Sequence, residues 1–149
     1  FEIASQHFFG ETGFGYQFNY TTVEGDIGYE NGSDPSEDQF ALPGLSDTLN
    51  LVGIYEKDGL SARLAYNWRD NFLNQVNRSV GSTRNPEYVD EFEQLDLNVS
   101  YEFDSGVTLS LDAINLTSEG LRKYGRTDTA AFFVQELDPR YVFSARYTF

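Results

Sequence analysis

The sequence predicts an all-β fold, and three observations lead to that prediction. The run that ends the chain alternates strictly, so one pleat face carries Tyr141, Phe143, Ala145, Tyr147 and Phe149. Six further runs of about ten residues alternate in a similar way. No segment has the periodicity of a helix long enough to cover a sheet. An apolar sheet face without a covering layer predicts lipid as the cover, and therefore a portion of an antiparallel transmembrane β-barrel.

Seven strands are predicted, arranged as three hairpins and one closing strand. They occupy residues 1–9, 14–24, 47–56, 60–70, 93–103, 107–115 and 140–149. The second hairpin has the strongest signal, because Asp58-Gly59 suits a turn in which both central residues need positive φ. Three long connections, residues 25–46, 71–92 and 116–139, are rich in turn formers and are predicted to be loops.

The hairpin register offers an independent check on these strands. Pairing across the short turns places Leu51 opposite Tyr66, Leu49 opposite Trp68 and Val99 opposite Leu111, so that apolar residues meet apolar residues. The apolar face contains no Lys, Arg, Asp or Glu from Leu49 to Tyr55, Leu60 to Trp68, Leu95 to Phe103 or Val107 to Ala113. A lysine or arginine facing lipid at mid-bilayer costs about 2–4 kcal/mol, so this sorting is what a membrane barrel requires.

Composition excludes several classes of function. The 149 residues carry a formal net charge of −14, with ten Lys and Arg among 24 Asp and Glu, which argues against a nucleic-acid partner. The absence of cysteine removes disulfides, thiolate catalysis and cysteine-bound metals. Mean hydropathy is −0.47, which does not argue against a strand-built membrane protein. The sequence predicts no cofactor.

The connections alternate between short and long along the chain. Short turns and loops of about twenty residues are typical of outer-membrane barrels, whose turns are periplasmic and whose long loops are extracellular. The C-terminus would then be periplasmic, and two aromatic bands would mark the membrane interfaces. An odd strand count and a start directly in an alternating run predict a piece of a longer polypeptide.

Several segments together resemble the C-terminal end of a TonB-dependent outer-membrane receptor. They are residues 1–4 (FEIA), 19–21 (NYT), 55–70 (YEKDGLSARLAYNWRD), 112–117 (DAINLT) and 140–149. The resemblance implies a barrel of about 22 strands with a plugged lumen in the outer membrane of a Gram-negative bacterium. Residues 1–149 would supply the last seven strands, while the plug domain and the segment that contacts TonB would lie on other polypeptide.

The resemblance also implies what the chain does and what it contacts. It implies active uptake of a scarce small-molecule ligand, such as a siderophore, vitamin or oligosaccharide, with lipid and lipopolysaccharide around the barrel. The terminal aromatic residues would form the outer-membrane assembly signal: Tyr141, Phe143, Tyr147 and Phe149. A structural or adhesive barrel without transport is the alternative. An enzyme is not expected, because the only histidine, His7, has no catalytic partner.

Four charged residues are predicted to point into the lumen: Arg63, Asp96, Asp112 and Arg146. An interstrand charge ladder is favoured for them, and contact with a plug or a substrate path is the alternative. In the first loop, Asp34, Glu37 and Asp38 are a weak Ca²⁺ candidate, although a solvated loop is the preferred interpretation.

The later loops carry five aromatic residues that are candidates for ligand contact: Tyr88, Phe92, Tyr124, Phe132 and Phe133. Flat rings on loops offer stacking area at low entropic cost, and packing of loop on loop explains them equally well. Half of the 24 acids fall in the three long loops, so the rim is predicted to favour neutral or cationic ligands.

Overall fold

Two antiparallel β-sheets make up the computed structural model, which describes residues 1–149. The strands are β1 (Glu2–Phe8), β2 (Phe14–Thr21), β3 (Thr48–Lys57), β4 (Leu60–Arg69), β5 (Phe72–Val80), β6 (Thr83–Val89), β7 (Phe92–Glu102), β8 (Val107–Ile114), β9 (Leu121–Tyr124), β10 (Ala131–Gln135) and β11 (Arg140–Tyr147). A single 3₁₀ turn, Gly10–Thr12, is the only helical element. No helix is long and apolar enough to cross a membrane. The predicted all-β antiparallel class is confirmed.

The larger sheet has seven strands in the order β1-β2-β3-β4-β7-β8-β11. These are the seven predicted strands, and their ends differ from the prediction by at most three residues. The predicted pairs Leu51–Tyr66, Leu49–Trp68 and Val99–Leu111 are all present. The sheet is open, with β1 and β11 as its edges, and it does not close into a barrel.

The turn between β3 and β4 shows why the hairpin signal was reliable. Asp58 and Gly59 have φ angles of 51° and 79°, so both central residues are left-handed as the turn type requires. A Cβ atom on Gly59 would lie 2.6 Å from the carbonyl oxygen of Glu102 on the neighbouring strand β7. This turn therefore needs glycine for its backbone angle and for the close approach of the next strand.

The smaller sheet, β10-β9-β6-β5, corrects the prediction that residues 71–92 and 116–139 are loops. Its strands are continuations of strands in the larger sheet, since β5 begins at Phe72 soon after β4 ends at Arg69, and β6 leads directly into β7. The order β5-β6-β9-β10 repeats the order β4-β7-β8-β11. We call the smaller sheet the distal sheet, because its four strands continue four strands of the larger sheet beyond one end of that sheet.

Residues 22–47, which we call the first connection, contain no strand and lie against the distal sheet. Gly44 N donates to the carbonyl oxygen of Leu73 at 2.8 Å. Gln39 exchanges two hydrogen bonds with the side chain of Asn77, at 2.9 and 2.7 Å. The loop predicted for residues 25–46 is therefore irregular in backbone and fixed in place by specific contacts.

Little of the chain is buried. Ten of the 149 residues are buried. Among the apolar ones, Ala41, Leu73 and Val89 lie in the distal region, and Val52 and Ala113 lie in the larger sheet. On the apolar face of the larger sheet, Leu51, Leu64 and Phe143 are 44%, 45% and 78% exposed. No second layer covers either face of that sheet, so the chain is not a two-sheet sandwich.

Candidate functional site

The four charged residues predicted to share one face do share it. The observed register places Arg63 opposite Asn98, Asp112 opposite Asn98, and Arg146 opposite Thr108, while Asp96 lies opposite Ala65. Leu64 and Leu97 are paired on the other face. The larger sheet therefore has one polar and one apolar face, as the alternation in the sequence predicted.

The interstrand charge ladder proposed for these residues is wrong. Gln94 Nε2 donates to both carboxylate oxygens of Asp96 at 2.9 Å, and Asn98 Nδ2 donates to Asp112 Oδ1 at 2.5 Å. Neither Arg63 nor Arg146 forms an ion pair. The reason lies in the register, because the residues directly opposite both arginines are uncharged.

Four arginine side chains have neither an ion pair nor a hydrogen bond, and all four occupy the polar face of the larger sheet: Arg63, Arg69, Arg140 and Arg146. The remaining basic residues, Lys57, Arg78, Arg84, Arg122, Lys123 and Arg126, each contact a carboxylate or a carbonyl oxygen. Although the same face carries Asp96 and Asp112, none of these four guanidinium groups forms an ion pair with a carboxylate.

The loop aromatics lie in three places. Tyr88 and Tyr124 stack with ring centroids 5.4 Å apart, and Tyr88 Oη donates to Asn31 Oδ1 at 3.4 Å, so the first connection covers the pair. Burial raises the pKa of both tyrosine hydroxyls. These two rings therefore pack on each other across neighbouring strands of the distal sheet, which favours the packing role that the sequence left open over ligand contact.

The other three loop aromatics differ in exposure and location. Arg78 lies over the ring of Phe132, 4.3 Å from its centroid, and Phe133 is 46% exposed. Phe92 is the first residue of β7 and lies opposite Arg69, at the end of the larger sheet that adjoins the distal sheet. Of the five, Phe133 alone is exposed, and the other four are half-buried.

Glu87 forms the main charged cluster of the distal sheet, which sequence reasoning did not single out. Its side chain is 10% exposed and contacts Lys123 Nζ at 3.1 Å, Asn74 Nδ2 at 2.8 Å and Arg78 Nη1 at 2.9 Å. The Arg78 contact is an ion pair that lies off the line of a hydrogen bond. Burial alone would raise the pKa of Glu87, but the hydrogen bonds and positive charges lower it below its ordinary value of 4.5.

Arg126 was also absent from the sequence candidates. Its Nη1 atom donates to the carbonyl oxygens of Asn31 at 2.7 Å and Ser33 at 3.0 Å. Its Nη2 atom donates to Tyr29 Oη and to the carbonyl oxygen of Arg84, both at 3.1 Å. One side chain thereby ties the first connection to the distal sheet, and no spacing in the sequence marks an arginine that binds carbonyl groups.

The weak Ca²⁺ candidate does not assemble into a site. Asp34 accepts hydrogen bonds from Ser36 N at 2.9 Å and Ser36 Oγ at 2.8 Å, which lower the pKa of Asp34. Asp38 is paired instead with Arg84 Nε at 3.0 Å. No group of three His, Cys, Asp or Glu residues has an arrangement that could hold a metal ion.

The residues of the suggested assembly signal lie on the apolar face of β11 or just beyond it. Tyr141, Phe143 and Tyr147 are 56%, 78% and 61% exposed, and Phe149 follows the end of the strand. β11 is an edge strand, so β8 is the only strand beside these rings, and Tyr147 and Phe149 also lie near each other, with ring centroids 6.3 Å apart.

No protein-family model, curated protein or solved structure matches the chain. The fold itself defines a class, an open antiparallel all-β sheet with one polar face and one uncovered apolar face.

Proposed function

We propose that the chain is the C-terminal part of the barrel of an outer-membrane receptor similar to the TonB-dependent receptors, and that it serves the uptake of a scarce small ligand. The observation that carries the proposal is the uncovered apolar face of the larger sheet. Four large side chains on that face are strongly exposed: Phe14 (57%), Leu64 (45%), Leu109 (47%) and Phe143 (78%). Lipid is the surrounding that stabilises such a face without a second layer of protein.

The aromatic residues near the distal end of the apolar face support a membrane interface there. Tyr20 Oη donates to Asp47 Oδ2 at 3.0 Å, and Trp68 Nε1 donates to Glu91 Oε1. Each ring lies on the apolar face while its polar tip reaches a carboxylate outside the strands. This division of an aromatic side chain between apolar and wet surroundings is typical of the belts at membrane surfaces.

The edge strands support a barrel completed by further polypeptide. Seven antiparallel strands leave β1 and β11 running in the same direction, so an antiparallel closure needs an odd number of additional strands. Every residue of β1 and β11 is exposed. Unpaired edges in hydrocarbon cost several kcal/mol per backbone group, which favours a partner strand at each edge. The remaining strands, the plug and its contact with TonB would belong to that polypeptide.

Uptake is tested in Gram-negative cells that carry or lack the gene for the full polypeptide. Cells receive a labelled ferric siderophore, cobalamin or a labelled oligosaccharide, each with and without a protonophore. We expect one of these probes to enter only when the gene is present and only while the inner membrane is energised.

The alternative is a structural or adhesive barrel that transports nothing. It predicts that uptake of every probe is independent of the gene, while deletion alters attachment of the cells to surfaces or the permeability of the outer membrane. That outcome would contradict transport and leave the membrane location in place.

A further inference from the structure

Arg69 is an arginine without a partner at the distal end of the polar face. It is the last residue of β4, and its neighbours across the sheet are Thr48 on β3 and Phe92 on β7. Its side chain makes no ion pair, and its Nε atom is buried without a hydrogen-bond partner. Arg78 Nη1 and Arg126 Nε are buried and unpaired as well, so this feature alone does not indicate a ligand. The Nη1 and Nη2 atoms of Arg69 also have no hydrogen-bond partner within the chain, and unlike Nε they are not buried, so they are the donors that a ligand could reach.

The Arg69 guanidinium lies over an aromatic ring. Its Cζ atom lies 4.4 Å from the centroid of the Phe72 ring, which belongs to the first residue of β5. A guanidinium held over a ring keeps the donors on its edge free for a planar acceptor. The adjacent carboxylate of Asp70 forms no ion pair with it, and Asp70 Oδ1 accepts instead from Asn71 N at 2.8 Å and Asn71 Nδ2 at 3.0 Å.

Arg69 borders a hollow of about 410 Å³. Five of the residues around it belong to the polar face: Thr48, Asn50, Asn67, Arg69 and Phe92. They supply one hydroxyl group, two carboxamides, one guanidinium and one phenyl ring. This volume lies within the range of small-ligand sites, which combine apolar surface with a few fixed polar groups.

We propose that this hollow binds a sugar acid, and that Arg69 recognises its carboxylate. The inference rests on the proposed function and narrows its ligand class. A carboxylate accepts two parallel hydrogen bonds from the Nη1 and Nη2 atoms of a guanidinium, and Phe92 packs on the apolar side of a sugar ring. Asn50 Nδ2 donates to Asn67 Oδ1, which leaves Asn50 Oδ1 and Asn67 Nδ2 to exchange hydrogen bonds with ring hydroxyls. The site binds and does not catalyse, since no nucleophile or base is required of it.

Two other arginines show how an arginine with a structural role is paired in this chain. Arg84 pairs with Asp38 at 3.0 Å, and Arg122 pairs with Asp90 at 2.7 Å, so the arginines of the distal sheet find carboxylates. Arg69 lies beside the same sheet and has none. The acidic residues of the loops repel an anion through long-range electrostatics, which dissolved salt screens. Arg69 would contact the carboxylate directly by hydrogen bonds, which salt screens much less.

The test measures binding to the intact receptor purified in detergent from outer membranes. The probes are α-1,4-linked trigalacturonic acid and the neutral trisaccharide α-1,4-linked galactotriose, compared by titration calorimetry. We expect the wild type to bind the acid at least about tenfold more tightly than the neutral sugar. Arg69→Gln should reduce that preference to less than about twofold, and Arg69→Lys should give an intermediate value because it keeps the charge and loses the fork.

Arg84→Gln is the control, since it removes one positive charge at the far end of the β5–β6 hairpin, away from Phe72, and should leave the preference unchanged. Equal binding of the two probes by the wild type, binding of neither, or an unchanged preference in Arg69→Gln would each overturn the inference. If Arg69→Gln does not fold, the wild-type comparison and Arg69→Lys still decide. These outcomes are distinct from failure of the membrane proposal, which would appear as an absence of lipid contact at the apolar face.

Discussion

Glu87 illustrates how single residues hold the distal sheet together. Its carboxylate meets three donors from β5 and β9, and two of them are cationic. A carboxylate that is 10% exposed is tolerated only when such partners are present. The stability of the distal sheet should therefore depend on the ionisation of this one group.

We predict that the distal sheet loses stability in acid through Glu87. The folded pKa is below the ordinary value of 4.5, so the stabilisation is fully present above about pH 4.5 and is lost as pH falls through the folded pKa. Hydrogen-exchange protection of β5 and β6, corrected for intrinsic rates, should fall over that window. Glu87→Gln should be less stable at pH 7 by about 1–3 kcal/mol and show a smaller acid loss. An identical pH profile in the variant would contradict the role of Glu87.

Arg126 is predicted to fix the first connection. Arg126→Ala removes donors to Tyr29, Asn31 and Ser33, so residues 22–47 should become accessible to protease in intact cells. Cleavage should be several-fold faster than in the wild type, as read from fragment masses. Lys57→Ala is the control, since Lys57 contacts Glu11 at the other end of the sheet. Equal cleavage of Arg126→Ala and wild type would show that other contacts suffice.

At the scale of elements, the turn at Gly59 should be essential. Gly59→Ala places a Cβ atom 2.6 Å from the carbonyl oxygen of Glu102 and forces φ near 79°, which costs at least about 1–2 kcal/mol. The urea midpoint of the purified protein should decrease. Gly53→Ala is the matched control, because no atom lies within 4 Å of its added Cβ and its φ is ordinary. Equal midpoints for the two variants would contradict the argument.

The strands of the larger sheet could be predicted because alternation, turn chemistry and register agree. The β3–β4 hairpin has all three, with Asp58-Gly59 at its turn and apolar pairs along its length. The polar face was likewise predictable, because alternate residues along a strand point to opposite faces of the sheet. Local patterns that point to one structure are the ones that sequence reasoning recovers.

The four strands of the distal sheet could not be predicted in this way. β6 contains Pro86, β5 and β10 are interrupted by register shifts, and β9 has only four residues. Proline and bulges disrupt the alternation by which strands are recognised. The Glu87 cluster and the Arg126 contacts were missed for the same reason, since they depend on strands that the pattern does not indicate.

At the scale of the whole molecule, burial is distributed unusually. Ten buried residues of 149 cannot stabilise a sheet of this size in water, and most of them lie in the distal region or near the junction of the sheets. The chain itself supplies no layer over the apolar face of the larger sheet, and an exposed apolar surface of this kind favours a cover from outside the chain. In the membrane location that we propose, lipid would account for the aromatic bands and for the absence of charge along the middle of that face.

The measurement that tests this claim most directly uses the absence of cysteine in the chain. Single cysteines replace Leu64, Leu97 and Leu111, and in matched variants Arg63, Asn98 and Asp112, in the full polypeptide assembled in outer membranes. Each carries a nitroxide label, and spin relaxation reports collisions with oxygen, which concentrates in lipid, or with a water-soluble nickel chelate. We predict that the labels at the three leucines collide mainly with oxygen and that the labels at the polar positions do not. Equal exposure of both sets to the nickel chelate, or shielding of the leucine positions from both reagents, would contradict a lipid-facing sheet.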